Sequence, residues 1–129
     1  MYGFNVTIKA SMEDAETKVR EALMSEGFGV LTEIDVQKVM KAKLDLDRSG
    51  YKILGACNPN LAHQAIEAEA DIGLLLPCNV LLREEDNGTV NVGFMDPDAV
   101  LKLTDNPEIA KVAPVVREKL QKVAALVEA

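Results

Sequence analysis

Residues Tyr51–Leu82, YKILGACNPNLAHQAIEAEADIGLLLPCNVLL, contain both cysteines of the chain, Cys57 and Cys78, and its single histidine, His63. Tyr51–Ala56 reads as a strand that delivers Cys57 to the start of a helix. Asn58 is the expected N-cap, and Pro59 falls at the first helical position, where its missing N–H costs nothing. This helix is expected to run to about Ala70, followed by a strand from about Ile72 to Arg83. Leu74, Leu76, Cys78, Val80 and Leu82 alternate with Gly73, Leu75, Pro77, Asn79 and Leu81, so both faces of that strand look apolar. Two apolar faces require two covers: helices on one side and a partner subunit on the other. Pro77 cannot donate to a ladder, which predicts an edge position or a bulge there.

Upstream, Phe4, Val6 and Ile8 alternate with polar residues as a half-buried strand does. Ser11 caps a helix whose first turn carries Glu13 and Asp14, and Gly27 ends it. Its buried stripe is Met12, Ala15, Val19, Ala22 and Leu23. A second strand runs from about Phe28 to Ile34, and Asp35 caps a short helix with Val36, Val39 and Met40 inward. Asp47-Arg48-Ser49-Gly50 is a turn. Downstream, Asn87-Gly88 predicts a hairpin to a strand over Thr89–Met95, and Asp96-Pro97 breaks the sheet. The last helix opens at Asn106-Pro107, with Pro114 predicting a kink or restart.

The order is therefore β-α-β-(short α)-β-α-β-β-α in a single domain spanning residues 1–129. Strands separated by helices, then a hairpin, predict an α+β fold with helices on one face of a mixed or antiparallel sheet.

Ala56-Cys57-Asn58-Pro59 and Leu76-Pro77-Cys78-Asn79 resemble the two recurrent elements of the domain of unknown function 302 family. The resemblance extends upstream through Thr32-Glu33-Ile34-Asp35-Val36 and downstream to Asp96-Pro97, covering most of the chain. It implies a TATA-binding-protein-like topology and a homodimer. It brings no reaction with it, and the topology name carries no DNA function.

The composition narrows the partners. Net charge is −7, and between Gln64 and Val90 six carboxylates face Arg83 alone. Such a field repels phosphate backbones and anionic membrane surfaces. The five aromatics stand singly, offering no base-stacking platform. Nucleic acid and membrane are not expected partners. The first residues run straight into a strand pattern, without a basic and then apolar leader, which favours the cytoplasm and reduced thiols.

Cys57 is the leading reactive candidate, because helix N-termini stabilise thiolates and it stands just before one. The bland alternative is a small buried hydrophobe at a strand end. His63 lies in the second turn of the same helix and is the candidate base, although most lone histidines only decorate a helix surface. Cys78, among leucines, reads as inert, or as a partner of Cys57 on a neighbouring strand. Asn58 and Asn79 flank the cysteines and, with Cys78, are the candidate ligand-binding residues. A Cys57, His63, Cys78 metal triad lacks the close spacing of strong metal motifs, so no metal or cofactor is expected. Glu33 and Asp35 are potential paired carboxylates, with an edge residue and a helix cap as the plainer reading. No glycine-rich nucleotide loop is present.

Three readings follow. The leading one is a cytosolic homodimeric module binding a small molecule or a partner near the two motifs. The alternative is a thiol-dependent redox or metal-binding enzyme using Cys57, Cys78 and His63. The third is a purely structural dimeric module with no site.

Overall fold

The computed structural model describes residues 1–129. Five strands form one sheet: β1 (Gly3–Lys9), β2 (Gly29–Asp35), β3 (Tyr51–Cys57), β4 (Cys78–Glu84) and β5 (Thr89–Met95). Their spatial order is β1-β5-β4-β3-β2, and every neighbouring pair is antiparallel. The hairpin at Asn87-Gly88 places β5 beside β4, and Gly88 takes the positive φ of 78° that the turn requires.

The two long helices are α1 (Met12–Ser25) and α5 (Pro107–Glu128). Ser11 accepts from the Asp14 amide and starts α1 as its sequence predicts. Ala15, Val19, Ala22 and Leu23 of α1, with Val116, Leu120, Val123 and Val127 of α5, pack on one face of the sheet. The sheet answers with Ile8, Leu54, Val80, Leu82, Val90, Val92 and Phe94. Phe4 and Phe94, register partners on β1 and β5, stack with ring centroids 5.5 Å apart.

Four expectations need correction. Ile72 does not begin a strand: α3 (Pro59–Ala68) is followed by a 3₁₀ turn over Ala70–Leu75, and β4 starts only at Cys78. The apolar run is used instead to build a second small cluster in which Ile72 packs with Ala65, Leu101, Ile109 and Ala113. Pro77 therefore precedes a central strand and is neither at a sheet edge nor in a bulge; the bulge lies between Val30 and Thr32 on β2. The helix α2 (Val36–Leu44) buries no residue: Val36 and Met40 are half-buried and Val39 is exposed. Finally, α5 runs through Pro114 without a restart. Pro114 and Ala110 are both exposed, so the carbonyl that loses its partner is open to water.

A short helix α4 (Pro97–Val100) and a 3₁₀ turn (Leu101–Thr104) fill the link before α5. Asp96 caps α4 and also accepts from Arg117 at 3.1 Å, tying that link to α5. No helix is long and apolar enough to cross a membrane.

Candidate functional site

β3 and β4 run antiparallel with Ala56 opposite Cys78. This register brings the two motifs together at one end of the sheet, where α3 begins. Asn58 accepts from the Leu61 amide at 3.4 Å and donates to the Glu26 carbonyl at 3.4 Å, so one side chain caps α3 and straps it to the end of α1. Gly27, at φ +84°, sits against that amide. On the second motif, the Leu76–Pro77 peptide is cis. The Pro77 ring and the Thr32 side chain close over Gly55, where any Cβ would meet the Thr32 hydroxyl and come within 2.7 Å of Pro77 Cγ.

Between α3, the strand ends and α5 lies a cavity of about 340 Å³. Thirteen of its 17 lining residues are hydrophobic, which makes it a site for an apolar group rather than for ions. Cys57, Asn58 and Cys78 all line it, together with Leu61, Leu76 and Val112. Leu31 and Ile66 stand at its exposed rim.

The remaining candidates lie elsewhere. His63 is exposed on α3 and does not line the cavity. Residues on a helix point outward at different angles, and only the face of α3 bearing Leu61, Ala62, Ala65 and Ile66 turns to the cavity. Asn79 is exposed and faces a separate groove on the opposite side of the sheet, because it alternates with Cys78 along β4. No three His, Cys, Asp or Glu side chains cluster in a way that would hold a metal. The thiol–imidazole constellation of the enzyme reading is therefore not assembled.

Cys78 is buried, and its thiol is pushed up to about 11, first by burial and then by the neighbouring Cys57. It is a neutral apolar group at physiological pH. Cys57 is half-buried, and both thiols are free. Glu33 and Asp35 do not act as a pair: Asp35 caps α2, accepting from the Lys38 amide at 3.0 Å, whereas Glu33 accepts from Arg20 and Lys52 at 3.0 and 2.9 Å.

Leu31, Leu61, Ile66 and Val112 were missed as cavity residues. Leu31 interrupts the alternation of β2 at the bulge, which is a faint signal; Val112 comes from a distant helix and left none.

Fold and site together define a single-domain α+β protein with an apolar cavity framed by two Asn-containing motifs. The chain belongs to the family described as Domain of unknown function DUF302, whose model matches residues 4–127. It is similar to the crystal structure of an uncharacterized conserved DUF302 protein from Bacillus stearothermophilus, at 26% identity and a TM-score of 0.90, over 98% of each chain. No curated protein matches it.

Proposed function

We propose that this protein is a binding module for a small apolar molecule, held in the cavity between α3, α5 and the ends of β3 and β4. The observation that carries the reading is the cavity itself: about 340 Å³, with 13 of 17 lining residues hydrophobic, around both family motifs. Burying apolar ligand surface there is favourable by about 25 cal/mol per Å² before association costs. Asn58 and Thr32 supply the few polar edges that orient a bound molecule.

The working unit of this reading is a cytoplasmic homodimer, which the two free thiols and the family resemblance support. Its original ground, a strand apolar on both faces, is replaced by a different surface. Leu31, Ile34, Val39, Leu44 and Leu46 are 69, 49, 43, 67 and 50% exposed along β2, α2 and the following loop. A second copy covering that edge would also approach the cavity rim at Leu31.

The test is a titration with 1-octanol and with naphthalene, followed through amide spectra and thermal unfolding. A ligand at about 100 times its Kd stabilises the native state by about 2.7 kcal/mol, and the shifts should centre on Leu61, Ala65 and Val112. Ala62→Leu should fill part of the cavity and weaken binding while the fold is kept. Shifts scattered over the surface, or unchanged affinity in A62L, would refute the reading.

A further inference from the structure

The sheet face opposite α1 and α5 carries a second concavity. Register places Tyr51, Arg83, Asn91 and Thr7 in one row across β3, β4, β5 and β1. The neighbouring row on the same face is Ile34, Ile53, Leu81, Gly93 and Asn5. Gly93 has no side chain to fill the space between Leu81 and Asn5; a Cβ there would stand 2.9 Å from the Asn5 amide. A groove of about 570 Å³ opens at this point, bounded by Arg83, Asn79, Tyr51, Leu81, Met95 and Tyr2.

Its charge is opposite to that of the molecule. Net charge is −7, yet no carboxylate lines the groove. Of the four arginines, Arg20 and Arg117 are held by carboxylates at 2.9 and 3.1 Å, whereas Arg48 and Arg83 are in no ion pair. Both flank Tyr51: the Arg48 guanidinium lies 4.8 Å from the ring centroid, and Arg83 is the cross-strand partner of Tyr51. Arg83 is half-buried, where an uncompensated cation favours an anionic partner. The neighbouring amides divide into used and free. Asn5 donates to Asn91 at 2.7 Å and Asn91 donates to Thr7 at 3.3 Å, while Asn79 faces the groove.

We propose that this groove binds a small organic carboxylate with an aromatic or branched apolar body. Arg83 takes the carboxylate in its planar fork, and the Asn79 amide adds a donor. Leu81, Met95 and the Tyr51 ring hold the body. The site is independent of the apolar cavity.

Benzoate titrated into isotope-labelled protein is the test. The expected result is saturable amide shifts at Asn79, Arg83 and Gly93, with benzamide, the uncharged analogue, inert. Arg83→Gln should weaken binding about tenfold or more, and Arg83→Lys, which keeps the charge but not the fork, by severalfold. The R83K comparison decides the matter if R83Q fails to fold. Four outcomes overturn the proposal: no saturation by about 50 mM, equal binding by R83K, equal binding of benzamide or inorganic phosphate, or shifts centred on Cys57 and Leu61.

Discussion

Cys57 and Cys78 line one cavity from neighbouring strands, yet only Cys78 is buried. The register that sets Ala56 opposite Cys78 turns Cys78 into the core, and Cys57, one residue past Ala56, stands at the strand end where α3 starts. The two motifs thus form the wall of one apolar cavity, and their thiols differ in exposure.

The first consequence is an order of reactivity. At pH 7 an alkylating agent should modify Cys57 well before Cys78, which is buried and whose thiol is pushed up to about 11. Timed mass spectrometry with iodoacetamide reads this directly. Equal rates for the two residues would mean that the cavity opens as a whole.

Cys78 also predicts a stability change in alkali. Its folded value of about 11 lies above the ordinary thiol value of 9.0. The folded state then holds its proton where the unfolded state has lost it, so stability is complete below about pH 9 and falls as pH rises to about 11. Two pK units correspond to about 2–3 kcal/mol at most. Urea unfolding at pH 8 and pH 10.5 should show that loss in the native protein and little of it in Cys78→Ala.

Gly55 and Gly29 provide a contrast within one sheet. Gly55→Ala drives a Cβ into Thr32 and Pro77, whereas a Cβ at Gly29 meets nothing within 4 Å. G55A should lose about 1–3 kcal/mol, lowering Tm by several degrees, and G29A should stay within about 0.5 kcal/mol of native. Thermal unfolding of the two variants side by side separates them.

Lys52 bridges α1 and β2, with Nζ 2.7 Å from Glu16 and 2.9 Å from Glu33. Burial alone would raise the Glu16 carboxyl, but hydrogen bonds from Lys52 and Arg20 outweigh it and hold the group below its usual range. Its contribution is therefore present above about pH 4.5 and is lost as pH falls further. Lys52→Met leaves two carboxylates sharing Arg20 and should cost about 1–3 kcal/mol at pH 7. The deficit relative to native protein should shrink on acidification from pH 7 to pH 3, as the Glu16 carboxyl takes up its proton; a constant deficit would assign the loss to packing.

The proposed dimer is open to a sedimentation test. Native protein at micromolar concentration should sediment at about twice the chain mass of 14.0 kDa. Leu44→Lys, on the exposed side of α2, should shift it to monomer without loss of secondary structure. A native monomer, or a dimer untouched by L44K, rejects the proposed edge.

Local structure was legible in the sequence wherever the chemistry is local. Ser11, Asp35, Asn58 and Asn106 all cap the helices they precede, because capping depends on a side chain reaching an amide two or three residues on. Alternation identified β1, and Asn87-Gly88 identified β5 as the hairpin partner of β4, because a short loop with a glycine at positive φ sets its own register. The α+β order and the family membership came from the same short-range patterns.

Tertiary structure alone decided what the apolar run Ile72–Leu76 does. A continuous apolar stretch satisfies a buried strand and a buried turn equally, and only the presence of Leu101 and Ile109 from distant segments made the turn the better burial. The same holds for the sites. Cys57 and Cys78 share a cavity because β3 pairs with β4, and His63 is excluded because of the rotation of one helix about its axis. Arg83 reads in the sequence as one cation among acids; strand register places it beside Tyr51 at a groove that no carboxylate lines. Sequence spacing sets what each residue can do to its neighbours along the chain. Which residues meet across the sheet follows from the free energy of burying the whole core at once.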